Sequence, residues 1–176
     1  LELVVTASVA ALPAVAKLGE RLAEGASSDA IDAMLRAAPP WERMWALRAA
    51  ARAAVAARGA AWRAARRYAE SAELARQLGV RSVEVAGLLA ASYHAVWTAR
   101  VDDALEWAER AGPVARAAER PDLAAKARYY RGLVHAHTGR LLDARRDYEA
   151  ALATWTGTLP IAPTTELASL EAELGR

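Results

Sequence analysis

The chain has 176 residues, which fits one domain with a sizeable buried core. Its formal net charge is only +2, with 23 basic and 21 acidic residues interspersed, so we expect no direct binding of nucleic acid. The absence of Cys excludes disulfides and thiolate metal sites. Alanine supplies 48 residues, and Gly and Pro together supply 17, so helix is favoured almost everywhere and we expect no β-sheet.

The N-terminal stretch does not have the pattern of a targeting or membrane segment. No run approaches 18 uninterrupted apolar residues, and the first stretch carries Glu2 and lacks a basic region. Both features argue against a membrane span and a signal peptide. We therefore expect a cytoplasmic protein that does not contact a membrane.

Residues 1–40 are predicted to form lead-in helices that cover one end of the fold. Apolar residues recur at three- and four-residue intervals through residues 2–24, which indicates one helix or two short helices split at Pro13. Residues 27–29, Ser-Ser-Asp, then provide an N-cap for a second amphipathic helix over residues 30–38.

Residues 41–157 are predicted to form three helix hairpins. Stretches with helical periodicity follow one another there, and Gly or Pro residues mark several of the turns and helix ends between them. The first hairpin covers residues 41–80, the second residues 81–121 and the third residues 122–157. Each hairpin places two antiparallel helices side by side.

Residues 158–176 are predicted to contain a linker and a C-terminal capping helix. The linker includes the Pro-bearing segment 159–163. The helix that follows it carries Leu167, Leu170 and Leu174 on one face, which predicts that it packs over the end of the third hairpin.

A short pattern occurs three times in the hairpins, at spacings of 39 and 40 residues. When Ala65, Ala104 and Ala144 are aligned, each copy has an apolar residue three positions earlier, a Glu five positions later and an Ala seven positions later. The aligned residues are Trp62, Val101 and Leu141, then Glu70, Glu109 and Glu149, then Ala72, Ala111 and Ala151. Self-similarity at a fixed period is typical of stacked repeats. The recurring Glu indicates a structural role, such as bonding to the neighbouring hairpin.

The third copy carries the fullest pattern. Gly132 and Ala144 leave room for two helices to approach closely, and Gly139 lies at the turn between them. The small and aromatic residues of this copy, in order, are Gly132, Gly139, Ala144, Tyr148, Ala151 and Leu152. In composition and order they resemble the tetratricopeptide repeat. The second copy departs from that pattern, since Ser92 takes the place of Gly132 and Ala99 that of Gly139.

The resemblance implies an all-α fold: a right-handed α-solenoid of antiparallel helix hairpins, with about three repeats plus terminal helices. It is similar to the repeat arms of large bacterial, actinobacterial-like transcription regulators and signalling ATPases. By that resemblance the chain is a non-enzymatic interaction domain. It would bind a peptide, a protein or another domain of its own chain through a concave groove. A small-molecule-sensing domain of a transcription regulator and a self-association module are the alternatives.

In tetratricopeptide repeats the first helix of each hairpin lines the groove. Transferring those positions to this sequence gives a mostly aromatic and aliphatic surface, which suits an amphipathic helix or a neighbouring domain. The predicted contact residues are Tyr93, Trp97, Lys126, Tyr129, Leu133 and His137.

No residue pattern indicates catalysis, a cofactor or a metal. The chain lacks the glycine-rich loops that hold nucleotide phosphates. His135 and His137 are two residues apart and point about 200° away from each other on a helix, so they cannot chelate a metal from one face. Asp102 and Asp103 begin a helix, where capping explains them better than general acid–base chemistry does. We expect a protein that is not an enzyme.

Overall fold

The computed structural model describes residues 9–56, 60–155 and 161–175, and in these ranges the protein consists of helices and turns without a strand. The all-α class predicted from the composition is confirmed. The helices are α1 Pro13–Ala23, α2 Ser28–Ala37, α3 Pro40–Ala56, α4 Ala61–Gln77, α5 Arg81–Val96, α6 Val101–Ala117, α7 Pro121–His137, α8 Leu141–Thr154 and α9 Ile161–Glu173. None of these helices is both long enough and apolar enough to cross a membrane.

Several helix ends follow the signals in the sequence. Helix α1 begins at Pro13, whose missing N–H is not needed in a first turn. The Ser27 hydroxyl accepts a hydrogen bond from the Ala30 amide at 3.3 Å and so caps α2. Gly79 and Gly139 both have φ +73°, the left-handed conformation that ends many helices. The predicted turns after α4 and α7 are therefore confirmed.

The C-terminal helix begins earlier than expected. Helix α9 starts at Ile161, so the prediction of a linker through residue 163 is wrong for its last three residues. Pro163 is the third helical residue, where the backbone N–H has no intrahelical acceptor, so the helix accommodates it. The rest of the linker lies outside the described residues.

Consecutive helices pack against each other along the described chain, and α1 also packs against α3 and α5 against α7. The pairing is antiparallel. The ring of Tyr68 on α4 stacks on that of His94 on α5, whereas Ala72, one turn later on α4, lies against Gly87, two turns earlier on α5. Each helix thus folds back along its predecessor, as expected for the predicted hairpins.

The three copies of the recurring pattern have the same environment. Each aligned Ala lies near the start of the second helix of its hairpin, and each is almost completely buried. These residues are Ala65, Ala104 and Ala144, together with Ala72, Ala111 and Ala151 about two turns later. Side chains this small at these positions let the two helices of a hairpin lie close together.

The recurring Glu residues are exposed and do not share one role. Glu70 pairs with Arg43, which lies on the other helix of the same hairpin. Glu149 pairs with Arg145 one turn away on its own helix, at 2.9 Å. The predicted bond to the neighbouring hairpin is therefore wrong for these two residues. Their recurrence reflects a shared solvent-facing position.

Candidate functional site

Aromatic side chains meet where α5 packs against α7. The rings of Trp97, the residue that caps the C-terminus of α5, and His137 on α7 make an edge-to-face contact, with centroids 4.9 Å apart. The ring of Tyr93, one turn before Trp97, lies 6.1 Å from Trp97 and 5.6 Å from Tyr130 on α7. We call Tyr93, Trp97, Tyr130 and His137 the aromatic face. Such pairs contribute about 0.5–1.5 kcal/mol each beyond their burial, so the four rings hold one another in place.

The aromatic face is accessible to solvent. Trp97 is 55% exposed and Tyr93 is 38% exposed, and His137 is also exposed. Trp97 follows the last residue of α5, and Ala99 then takes a left-handed conformation with φ 58° to start the next turn. A contiguous group of large, partly exposed aromatic side chains is typical of an interaction site.

One hydrogen bond sets which ring nitrogen of the His137 imidazole carries the proton. His137 Nδ1 lies 3.0 Å from the carbonyl oxygen of Leu133 one turn earlier. A carbonyl oxygen only accepts, so Nδ1 carries a proton and donates it. In the neutral ring Nε2 is then an acceptor for a partner's hydrogen bond.

Two of the predicted contact residues belong to the core. Tyr129 is 8% exposed and Leu133 is 2% exposed, and both pack with Tyr148 and with Leu170 of α9. They cannot offer a free surface to a partner, because the C-terminal helix of the chain already covers them. Tyr93, Trp97 and His137 remain accessible, and Lys126 is half-buried on α7.

Tyr130 and His94 extend the site beyond the predicted residues. Tyr130 bridges Tyr93 and Tyr129, and burial together with the nearby Tyr93 raises the pKa of its hydroxyl. His94 lies edge-on to Tyr93 and stacks on Tyr68 with ring centroids 5.7 Å apart. In the sequence, these two residues are marked only by being next to predicted contact residues: Tyr130 follows Tyr129, and His94 follows Tyr93. The prediction missed them because their rings contact neighbouring helices, Tyr130 at Tyr93 and His94 at Tyr68.

The hydroxyls of Tyr129, Tyr130 and Tyr148 stay protonated at neutral pH, because burial raises the pKa of each. Burial, reinforced by Glu166 on α9, raises the pKa of Tyr129 to about 12, and the same causes raise the pKa of Tyr148. These three rings therefore carry no negative charge. The exposed ring surface of the aromatic face favours contact with apolar or aromatic side chains of a partner.

In the part of the chain that the structure describes, no three His, Asp or Glu side chains are grouped so as to hold a metal ion. The imidazole of His137 contacts the ring of Trp97 and the carbonyl oxygen of Leu133. It also lines a cavity of about 290 Å³ together with Glu166 and Ser169 of α9. The aromatic face itself offers ring surface and one hydrogen-bond acceptor.

No protein-family model, curated protein or solved structure matches the chain. The resemblance to the tetratricopeptide repeat therefore rests on the motif residues alone.

Proposed function

We propose that the chain is a non-catalytic interaction domain of the tetratricopeptide type. It binds an apolar segment of a peptide, of another protein or of another domain of its own polypeptide at the aromatic face. The observation that carries the proposal is the half-exposed Trp97, held edge-on by His137 across the contact between α5 and α7.

The arrangement of the helices supports a right-handed solenoid of about three repeats. Helices α3 to α8 correspond to the hairpins of residues 41–80, 81–121 and 122–157, with α1 and α2 as lead-in helices and α9 as the cap. First helices of successive hairpins contact each other at α1 with α3 and at α5 with α7. Such contacts between first helices are what stacking of hairpins requires.

The chemistry of the face favours an amphipathic helix as the partner segment. Rings that are already held by their neighbours lose little side-chain entropy when a partner covers them, and each buried Å² of apolar surface contributes about 25 cal/mol. Helical partners place apolar anchors at successive turns, which matches Tyr93 and Trp97 one turn apart. Lys126, nearby on α7, favours an acidic residue in the partner.

The proposal is tested with a displayed library of random peptides. Peptides selected on the wild-type chain are synthesised, and their affinity is measured by fluorescence anisotropy for wild type, Trp97→Ala and Trp41→Ala. Trp41 is the matched control, because it is 47% exposed but lies on α3. We expect Trp97→Ala to weaken binding by about tenfold or more and Trp41→Ala by no more than about twofold.

Circular dichroism of both variants shows whether the fold is retained. Equal losses of affinity in the two variants, or selected peptides that bind independently of Trp97, would overturn the proposal. Loss of the helical signal in Trp97→Ala would show that the ring serves the core, and the proposal would then fail as well.

A further inference from the structure

A second site lies on α2, α3 and α4, which do not contribute to the aromatic face. A cavity of about 640 Å³ opens there, with Leu35 and Leu47 among its apolar lining residues and Trp62 beside them. Five arginines from three helices surround it. They are Arg36 on α2, Arg43 on α3, and Arg63, Arg66 and Arg67 on α4. The acidic lining residues are Asp32 and Glu70.

Two of the arginines are neutralised and held by these acids. Arg67 is 6% exposed and donates two hydrogen bonds to one carboxylate oxygen of Asp32, from Nε at 3.2 Å and from Nη2 at 2.7 Å. Its Nη1 donates to the Ala50 carbonyl at 3.2 Å, so Arg67 joins α4 to both α2 and α3. Arg43 pairs with Glu70. These two pairs build the wall of the cavity.

The other three arginines have no ion-pair partner among the described residues. Arg36, Arg63 and Arg66 are exposed, and Arg63 and Arg66 lie one turn apart on the same side of α4. Two carboxylates against five guanidinium groups leave three uncompensated positive charges around one cavity. Like charges repel, and a cleft lined by one sign of charge concentrates the field of those charges, so this arrangement favours an anion.

We propose that the cavity binds a small polyanion, whose phosphate or carboxylate groups are held by Arg36, Arg63 and Arg66. A guanidinium group presents a planar fork of donors that pairs with either anion through two parallel hydrogen bonds. The volume falls in the range of small-molecule sites, and Leu35 and Trp62 offer contact to an apolar part of the ligand. The site would make the domain a sensor of an anionic metabolite, independently of the aromatic face.

The shape of the site favours a small ligand over a nucleic acid. A nucleic-acid backbone requires a basic track that follows many phosphates. Here the unpaired arginines surround one cavity, and the carboxylates of Asp32 and Glu70 lie in its lining. Those carboxylates would repel the successive phosphates of a long strand but leave room for a compact anion.

Isothermal titration calorimetry on the whole chain tests the proposal, with inorganic pyrophosphate and citrate as probes in about 0.15 M salt, where non-specific attraction is screened. We expect one of the two anions to bind saturably at one site. Tighter binding of pyrophosphate assigns a phosphate ligand, and tighter binding of citrate assigns a carboxylate ligand.

The matched pair of variants is Arg63→Gln with Arg66→Gln against Arg52→Gln with Arg146→Gln. Both remove two positive charges at exposed positions, but Arg52 and Arg146 do not line the cavity. We expect the first pair to weaken binding by about tenfold or more and the second by no more than about twofold. Circular dichroism checks the fold of each. Equal weakening, or no saturable binding of either anion to wild type, would overturn the proposal.

A gain of affinity provides a test that unfolding cannot imitate. Glu70→Gln removes one of the two carboxylates and releases Arg43, so the cavity gains a positive charge. We expect the better of the two anions to bind several-fold more tightly. Unchanged or weaker binding would contradict the proposal. A phosphorylated peptide that binds at Arg63 and Arg66 would also contradict it if neither small anion bound.

Discussion

The second hairpin, α5 with α6, and the third hairpin, α7 with α8, build the same close contact from different residues. In the third hairpin a Cβ added at Gly132 would lie 3.3 Å from the carbonyl oxygen of Ala144. At the matching position of the second hairpin, the Ser92 hydroxyl donates to the carbonyl of Ala104 at 2.8 Å. The comparison shows that the constant feature is the approach of the first helix to this carbonyl. In the second hairpin a hydrogen bond from Ser92 joins the two helices at this point, and in the third hairpin the absence of a side chain at Gly132 lets them come close.

The turns of the two hairpins differ in the same way. Gly139 has φ 73°, which glycine adopts without strain, whereas Ala99 at the matching position has φ 58°. Glu119, at the turn before α7, has φ 55° where Gly79 at the turn before α5 has φ 73°. The packing of the helices therefore imposes the left-handed turn, whichever residue occupies it.

The largest effect is expected from Gly132→Ala, which tests the close contact in the third hairpin. An added Cβ would lie 2.6 Å from two ring carbons of Tyr148, whose side chain is fully buried, so the ring or the helix would have to shift. Overpacking costs up to about 3 kcal/mol, and the better helix propensity of Ala returns about 1, so we expect a net loss near 2 kcal/mol in the free energy of unfolding. Urea denaturation measures it.

Gly19→Ala is the control for that measurement. Gly19 also lies inside a helix, but an added Cβ would have no atom within 4 Å. We expect this change to stabilise the protein by about 0.5–1 kcal/mol. If both substitutions stabilised it, helix α7 would not approach α8 as closely as the comparison requires.

A smaller effect of opposite sign is expected from Ala99→Gly, which gives the second hairpin the turn residue of the third. Relief of the left-handed strain at an exposed position should raise the free energy of unfolding by about 0.5–1 kcal/mol. Gly139→Ala is the reciprocal change, and because no atom lies within 4 Å of an added Cβ, its cost of about 1 kcal/mol is conformational. Changes of the same sign in both variants would show that φ does not set the difference.

The sequence predicted most of this scaffold because its signals are local. Pro13, Gly79 and Gly139 end or begin helices through their own backbone preferences, and the spacing between Ala104 and Ala144 correctly matched positions with equal burial. The alignment of the repeats also matched Ser92 with Gly132, but it did not predict the hydrogen bond that the Ser92 hydroxyl makes.

The sites were harder to predict, because they depend on which helices meet. A stripe of leucines shows that α9 has an apolar face, but not that Leu170 covers Tyr129 and thereby removes it from the predicted groove. The arginines of the cavity come from three helices, and α2 and α4 bring Arg36 and Arg63, which are far apart in the sequence, to one opening. A net charge of +2 conceals such a local excess.

The smallest expected effect is the part of the pH dependence that His94 contributes in the second hairpin; buried His135 in the third hairpin also has an imidazole pKa lowered by burial. His94 occupies the position that Val134 takes in the third hairpin, and burial lowers the pKa of its imidazole below the ordinary value of 6.5. The folded state thus prefers the neutral ring. The part of the stability that depends on a neutral His94 is therefore fully present above about pH 6.5 and is lost as the pH falls below that value. We expect His94→Val to lose less free energy of unfolding between pH 7.5 and 5.5 than wild type does. Between pH 8.5 and 7.5 the two proteins should respond alike, and parallel curves down to pH 5.5 would show that His94 does not contribute to the pH dependence of stability.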